Sequence, residues 1–141
     1  MLAQGYARTY RANAVLTASP GQLVLMLYDG ALRCLGIARE AFSRPEEDLQ
    51  RLSIINQQLQ KAQLILTELQ SGLNLEAGGE IARTLHQLYD YHNRRLFEAN
   101  IRKNEAPVIE VERLLLELRE AWAQMLAQGG GASLDQVRTV A

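Results

Sequence analysis

The sequence predicts an all-α protein, an antiparallel up-and-down four-helix bundle, and three observations carry that reading. Helix start and stop signals recur at four places along the 141 residues. Between them the apolar residues step by three and four, the spacing that lines one face of a helix. With 3 prolines and 6% aromatic residues, little in the chain disfavours long helices.

The first helix is announced by Ser19, Pro20, Gly21 and Gln22. A serine with glutamine three residues later is a capping box, and proline is harmless at the first helical position, where its missing N–H would have no partner anyway. The helix should end near Phe42 or Ser43. From Leu23 to Leu35 it is apolar nearly all the way round, and such a helix needs cover on most sides. The second helix is expected to begin at Pro45, with Glu46, Glu47 and Asp48 against the positive end of its dipole, and to stop near Gly72. Its stripe reads Leu52, Ile55, Leu59, Ala62, Leu66 and Leu69.

Gly78 and Gly79 mark the next loop, and the third helix should run from about Glu80 to Lys103. Its stripe is Ile81, Leu85, Leu88, His92, Leu96 and Ala99. Asn104 as a cap and Pro107 in the first turn open the fourth. Its series runs Val108, Val111, Leu115, Leu118, Trp122 and Met125, and Gly129, Gly130 and Gly131 close it. The expected organisation is an N-terminal segment over residues 1–18, extended or briefly helical, a bundle over 19–128 and a flexible tail over 129–141. In the tail, Leu134 and Val137 offer at most a weak helical turn.

A chain of this length gives one domain with one core. Its 48% hydrophobic and 22% charged residues suit a folded protein, and a net charge of −1 argues against a nucleic-acid binder or an anionic membrane surface. The single cysteine, Cys34, leaves no intrachain disulfide and no cysteine-based zinc site, which points to a reducing compartment. Residues 1–15 lack the apolar block of a secretory signal. The longest apolar run, residues 23–28, is roughly a third of the ~20 needed to span a bilayer. The expectation is a soluble, cytoplasmic protein.

Apolar surface in excess of the core is the functional clue. On the second helix Ile54 and Ile65 fall roughly 100° from the centre of the stripe, and Leu64 further round. Between Ser53 and Thr67 the one charged residue is Lys61, and the polar positions are mostly glutamine, including Gln58. The third helix repeats the pattern, with Phe97 and Ile101 opposite its stripe and Arg94 between them in angle. In a soluble protein such strips mark a partner site, or else surface that the N-terminal segment or a homodimer covers permanently. The N-terminal segment has anchors for a removable cover in Tyr6, Tyr10, Val15 and Leu16, though termini are also often disordered.

Catalytic and metal chemistry find little support. The two histidines, His86 and His92, are preceded at three residues by Arg83 and Tyr89 rather than by the glutamates of a di-iron bundle, and no HExxH occurs. His92 falls on the core stripe and reads as a packed, hydrogen-bonded histidine. Cys34 reads as a small buried hydrophobe. Gly78 and Gly79 precede Glu80, not a phosphate-binding lysine. Arg94, Arg95, Arg102 and Lys103 form the densest basic patch, suited to solvent or to acidic groups on a partner. No cofactor is expected.

Three stretches together resemble the FliS family of flagellar export chaperones. Residues 17–31, TASPGQLVLMLYDGA, are similar to its signature at the start of the first helix. Residues 78–82, GGEIA, lead to residues 88–100, LYDYHNRRLFEAN, and Glu110, Val111 and Glu112 are followed by Ala121 and Trp122. Order and spacing match from about Tyr6 to Met125. The resemblance implies an antiparallel helical bundle with no enzymatic activity. It implies binding of the disordered C-terminal region of flagellin, which prevents premature polymerisation, keeps flagellin competent for type III secretion and helps present it to export gate components. It also implies an N-terminal segment that packs over part of the flagellin site, with Tyr10 matching a tyrosine typical of that segment. One departure is His92, which stands where the family commonly has methionine. The candidate partner-contacting residues are therefore Tyr6, Tyr10, Ile54, Gln58, Lys61, Leu64, Ile65, Tyr91, Arg94, Arg95, Phe97 and Ile101. A second reading is a regulatory adaptor that sequesters a regulator of flagellar gene expression.

Overall fold

A computed structural model describes residues 18–129 and 136–138 of the chain. Four helices make the fold: α1 (Pro20–Phe42), α2 (Arg51–Ser71), α3 (Gly79–Arg102) and α4 (Ala106–Ala127). Each of α1 and α3 packs on both α2 and α4, so α1 faces α3 across one diagonal of the bundle. Connections this short force consecutive helices to run antiparallel. The expected four-helix bundle is the observed one.

Residue-level capping accounts for the α1 boundary. The Ser19 hydroxyl accepts from the Gln22 N–H at 3.3 Å, and the Gln22 side chain accepts from the Ser19 N–H at 3.0 Å. That closes the capping box with Pro20 in the first turn. Trp122 then pins this end of α1, its indole N–H donating to the Gly21 carbonyl at 3.0 Å.

The start of α2 differs from expectation. The helix begins at Arg51, not Pro45, because the intervening residues spend their polar groups on turns. Asp48 accepts from the Gln50 N–H at 2.9 Å, a local bond that competes with helix formation. Arg44 bridges Glu40 and Asp48, and Arg51 reaches back to the Phe42 carbonyl at 3.2 Å. At the other boundary, Asn104 accepts from the Ala106 N–H at 3.2 Å, while the residue at the cap position of α4 is Glu105.

Inside, Ile55, Leu59, Ala62, Leu66 and Leu69 of α2 meet Leu85, Leu96 and Ala99 of α3, Val108, Val111 and Leu115 of α4, and Val24, Ala31, Leu35 and Ala38 of α1. Leu52, Ile81 and Met125, expected on the stripes, are exposed. Each lies in the first or last turns of its helix, where the neighbouring helices give out. Ala82 and Tyr89 join the α3 core in addition to the expected residues.

The stretch after Gly129 is not wholly a flexible tail. Val137 is 4% exposed, and its carbonyl accepts from the Asn74 N–H at 2.7 Å. Arg138 forms an antiparallel bridge with Leu73 and donates from Nη1 to the Leu69 carbonyl at 2.9 Å. Residues 136–138 thus dock on the α2–α3 connection. The N-terminal segment with Tyr6 and Tyr10 lies outside the described residues, as does Leu134.

Candidate functional site: the seam between α1 and α2

The chain supplies more apolar residues to α1 than the core takes. By length and composition this helix could cross a membrane. Here its stripe of Val24, Tyr28, Ala31, Leu35 and Ala38 is buried in the bundle. Leu23, Met26 and Leu27 remain half-buried on the side turned toward α2. Together with Asp29, Arg33, Glu68 and Arg138 they line a groove of about 630 Å³.

Packing at Gly30 sets the depth of this seam. A methyl group added there would lie 3.4 Å from Ile65 Cδ1, so α2 comes close to α1 at that level. Ile54 and Ile65 are half-buried against the core, and their helical spacing places Gln58 and Lys61 on the same edge of α2. Cys34 faces this edge too. Burial pushes its thiol pKa up, with Lys61 and Arg33 pulling the other way, so the thiol stays protonated and unreactive at neutral pH.

The other expected contact residues go elsewhere. Leu64, 70% exposed, points outward from α2, and Phe97 and Ile101 stand exposed on α3 beside Arg94, which pairs with Asp90 at 3.5 Å. This second surface flanks the α2–α3 seam, which is tied by Gln63 Nε2 donating to the Asn93 carbonyl at 3.2 Å and by the Asn100–Asn56 bond at 2.8 Å. Tyr91 and Arg95 turn the opposite way, toward α4. The Tyr91 hydroxyl and Arg95 Nε both donate to Glu110 at 2.9 Å, and Arg95 also meets Glu98. The Arg95 and Tyr91 hydrogen bonds hold the Glu110 carboxyl below its usual pKa. Thus the described members of the expected set divide among three faces: Ile54, Gln58, Lys61 and Ile65 share the edge of α2 turned toward α1, but none of them lines the groove itself.

Beside Tyr91, His92 is 0% exposed and lines a smaller cavity of about 190 Å³ with Leu88, Leu114, Glu117 and Leu118. Neither ring nitrogen has a hydrogen-bond partner, which corrects the expectation of a hydrogen-bonded core histidine. Burial lowers its pKa to about 4, so the ring is neutral at physiological pH. Among the described residues no group of three or more His, Cys, Asp or Glu side chains is placed to hold a metal ion.

Leu23, Met26, Leu27, Arg33 and Glu68 were missing from the sequence-based set. The signal for the α1 residues was present, since the helix is apolar nearly all round. What the sequence did not show was which flank would stay half-open. Arg138, some seventy residues along the chain from Glu68, carried no local signal at all.

Fold and surface together define a small helical bundle that exposes apolar side chains along the seams between its helices. Comparison with known proteins says which kind. The model of the flagellar protein FliS family matches residues 2–129. The flagellar secretion chaperone of Salmonella typhimurium is 41% identical over 123 residues, which cover 86% of this chain and 87% of the relative. Its counterpart from Bacillus subtilis is 37% identical over 126 residues, covering 89% and 90% of the two chains. That from Escherichia coli is 36% identical over 124 residues, covering 87% and 88%. The chain belongs to the FliS family of flagellar secretion chaperones.

Proposed function

We propose that this protein binds the disordered C-terminal region of flagellin in the cytoplasm, prevents its premature polymerisation and keeps it competent for flagellar type III secretion. The observation that carries the reading is the α1–α2 groove, whose half-buried Leu23, Met26 and Leu27 are apolar surface left over by the core in a member of this family. A client helix lying there supplies the missing cover, which is helix-in-groove recognition. Ordering of the client is repaid by burial on the order of 1,000–3,000 Å² of surface. No covalent step is required, and release follows transfer of the client to export gate components.

The test is a binding titration of the full chain with the purified C-terminal region of flagellin, read by gel filtration and calorimetry. A stoichiometric complex is expected, weakened tenfold or more by Met26→Asp with helicity unchanged. Leu64→Asp, on the α2–α3 surface, separates the two faces. Loss of binding in Leu64→Asp with normal binding in Met26→Asp moves the site to that surface, and no complex with the unmodified chain removes the reading.

A further inference from the structure

We infer that Arg138 is a specificity-determining residue of the α1–α2 groove, placed there to receive a carboxylate of the client segment. The inference rests on the proposed function for the groove itself. Three independent contacts hold the arginine in place. Its Nη1 donates to the Leu69 carbonyl at 2.9 Å, in the last turn of α2, where helix carbonyls lack partners and the dipole favours a cation. Val137 beside it is buried, and the Val137 carbonyl is bonded to the Asn74 N–H. The guanidinium also lies over Gly72, where an added Cβ would sit 2.0 Å from Nη2. Glycine at that position is what lets the planar group lie against the chain.

Arg138 shares the groove wall with Leu23, Met26 and Leu27, so a segment seated on those side chains meets it. A guanidinium carries five N–H donors in a rigid fork, of which the Leu69 carbonyl takes one. Held in this way, the fork loses little further freedom on binding a planar carboxylate, the group its geometry fits. Glu68 lines the same cavity and, among the described residues, forms no ion pair with Arg138. The FliS family match stops at residue 129, so Arg138 lies outside the matched span.

The experiment titrates the full chain, Arg138→Ala, Arg138→Lys and Gly72→Ala with the purified flagellin C-terminal region. Gly72→Ala keeps the arginine but pushes its guanidinium off the chain. Two client forms distinguish the source of the carboxylate: one with an amidated C-terminus, one with Asp and Glu converted singly to Asn and Gln. Arg138→Ala should weaken binding about tenfold, with Gly72→Ala and Arg138→Lys intermediate. One client form should show the same loss with the unmodified chain and no further loss with Arg138→Ala. Equal affinity for Arg138→Ala and the unmodified chain, with Met26→Asp still defective, overturns the inference and leaves the groove reading intact. Arg138→Ala losing affinity equally for every neutralised client also overturns it, by making Arg138 a wall without charge recognition. Failure of Met26→Asp to weaken binding removes the groove and this inference together.

Discussion

Tyr28 of α1 and Tyr89 of α3 meet hydroxyl to hydroxyl across the diagonal of the bundle, both buried among aliphatic side chains. One phenol donates and the other accepts, so each hydroxyl has a partner within the core. Burial raises the pKa of both above the usual 10.0. Tyr28→Phe or Tyr89→Phe alone strands one hydroxyl and should cost about 1–2 kcal/mol. The double variant should cost less than the sum of the two singles, because no orphan remains. Chemical denaturation of the three variants measures this. The raised pKa also sets an alkaline limit: the unfolded chain releases these protons first, so stability is intact below pH 10 and falls as pH rises beyond it.

His92 makes the opposite prediction at acid pH. Its folded-state pKa of about 4 lies below the ordinary 6.5, because burial disfavours the imidazolium. The unfolded chain therefore takes up the proton first, and stability present above pH 6.5 is lost as pH falls toward 4. His92→Met removes two unpartnered nitrogens. It should raise stability by about 1 kcal/mol at neutral pH and flatten the decline between pH 6.5 and 4. Denaturant midpoints at a series of pH values decide it.

Trp122 is the one tryptophan of the chain, and its indole holds the Gly21 carbonyl at the start of α1. Trp122→Phe removes this hydrogen bond and part of the indole's buried volume, and should cost about 1–2 kcal/mol. In the unmodified protein its fluorescence reports docking of the α1 N-terminus on α4. The emission should change in one step with the helical circular dichroism signal if this end unfolds with the bundle. An earlier fluorescence transition would show local fraying.

Gly30 lies in the interior of α1, where glycine weakens a helix by about 1 kcal/mol relative to alanine. The alanine methyl group would make ordinary contact with Ile65 at 3.4 Å. Gly30→Ala should therefore raise the thermal midpoint by a few degrees, and a fall would mean that the α1–α2 approach is tighter than this distance.

Tyr91 and Arg95 converge on Glu110 at the α3–α4 seam, away from the α1–α2 groove. Arg95→Ala should shift stability slightly and in a salt-dependent way, since partly exposed ion pairs are screened. Client affinity should stay within about twofold of the unmodified chain, against a tenfold loss for Met26→Asp. Isothermal titration of both variants at low and high salt makes the comparison.

Much of the architecture was readable along the chain because helix signals are local. The Ser19–Gln22 box, Pro107 in the first turn of α4 and the three-and-four spacing of Leu59, Ala62, Leu66 and Leu69 each act within a turn or two. Where a local rule failed, a competing bond explains it. Pro45 and the acids after it looked like a helix start, but the Asp48 side chain and the Arg44 bridges hold them in turns. His92 was correctly placed in the core, yet its lack of a partner depends on what α4 brings opposite it.

The candidate surface divides along the same line. Sequence alone determined that α1 is apolar on nearly every side and that α2 carries Ile54 and Ile65 off its stripe, because side-chain angle follows from helical pitch. It also carried the family motifs. Only the tertiary structure decided that these two flanks face each other across one seam, that Leu64, Phe97 and Ile101 stand on another surface, and that Arg138 returns to wall the groove. Those relations join residues that are distant in the chain and are set by which helices become neighbours, a consequence of packing one shared core.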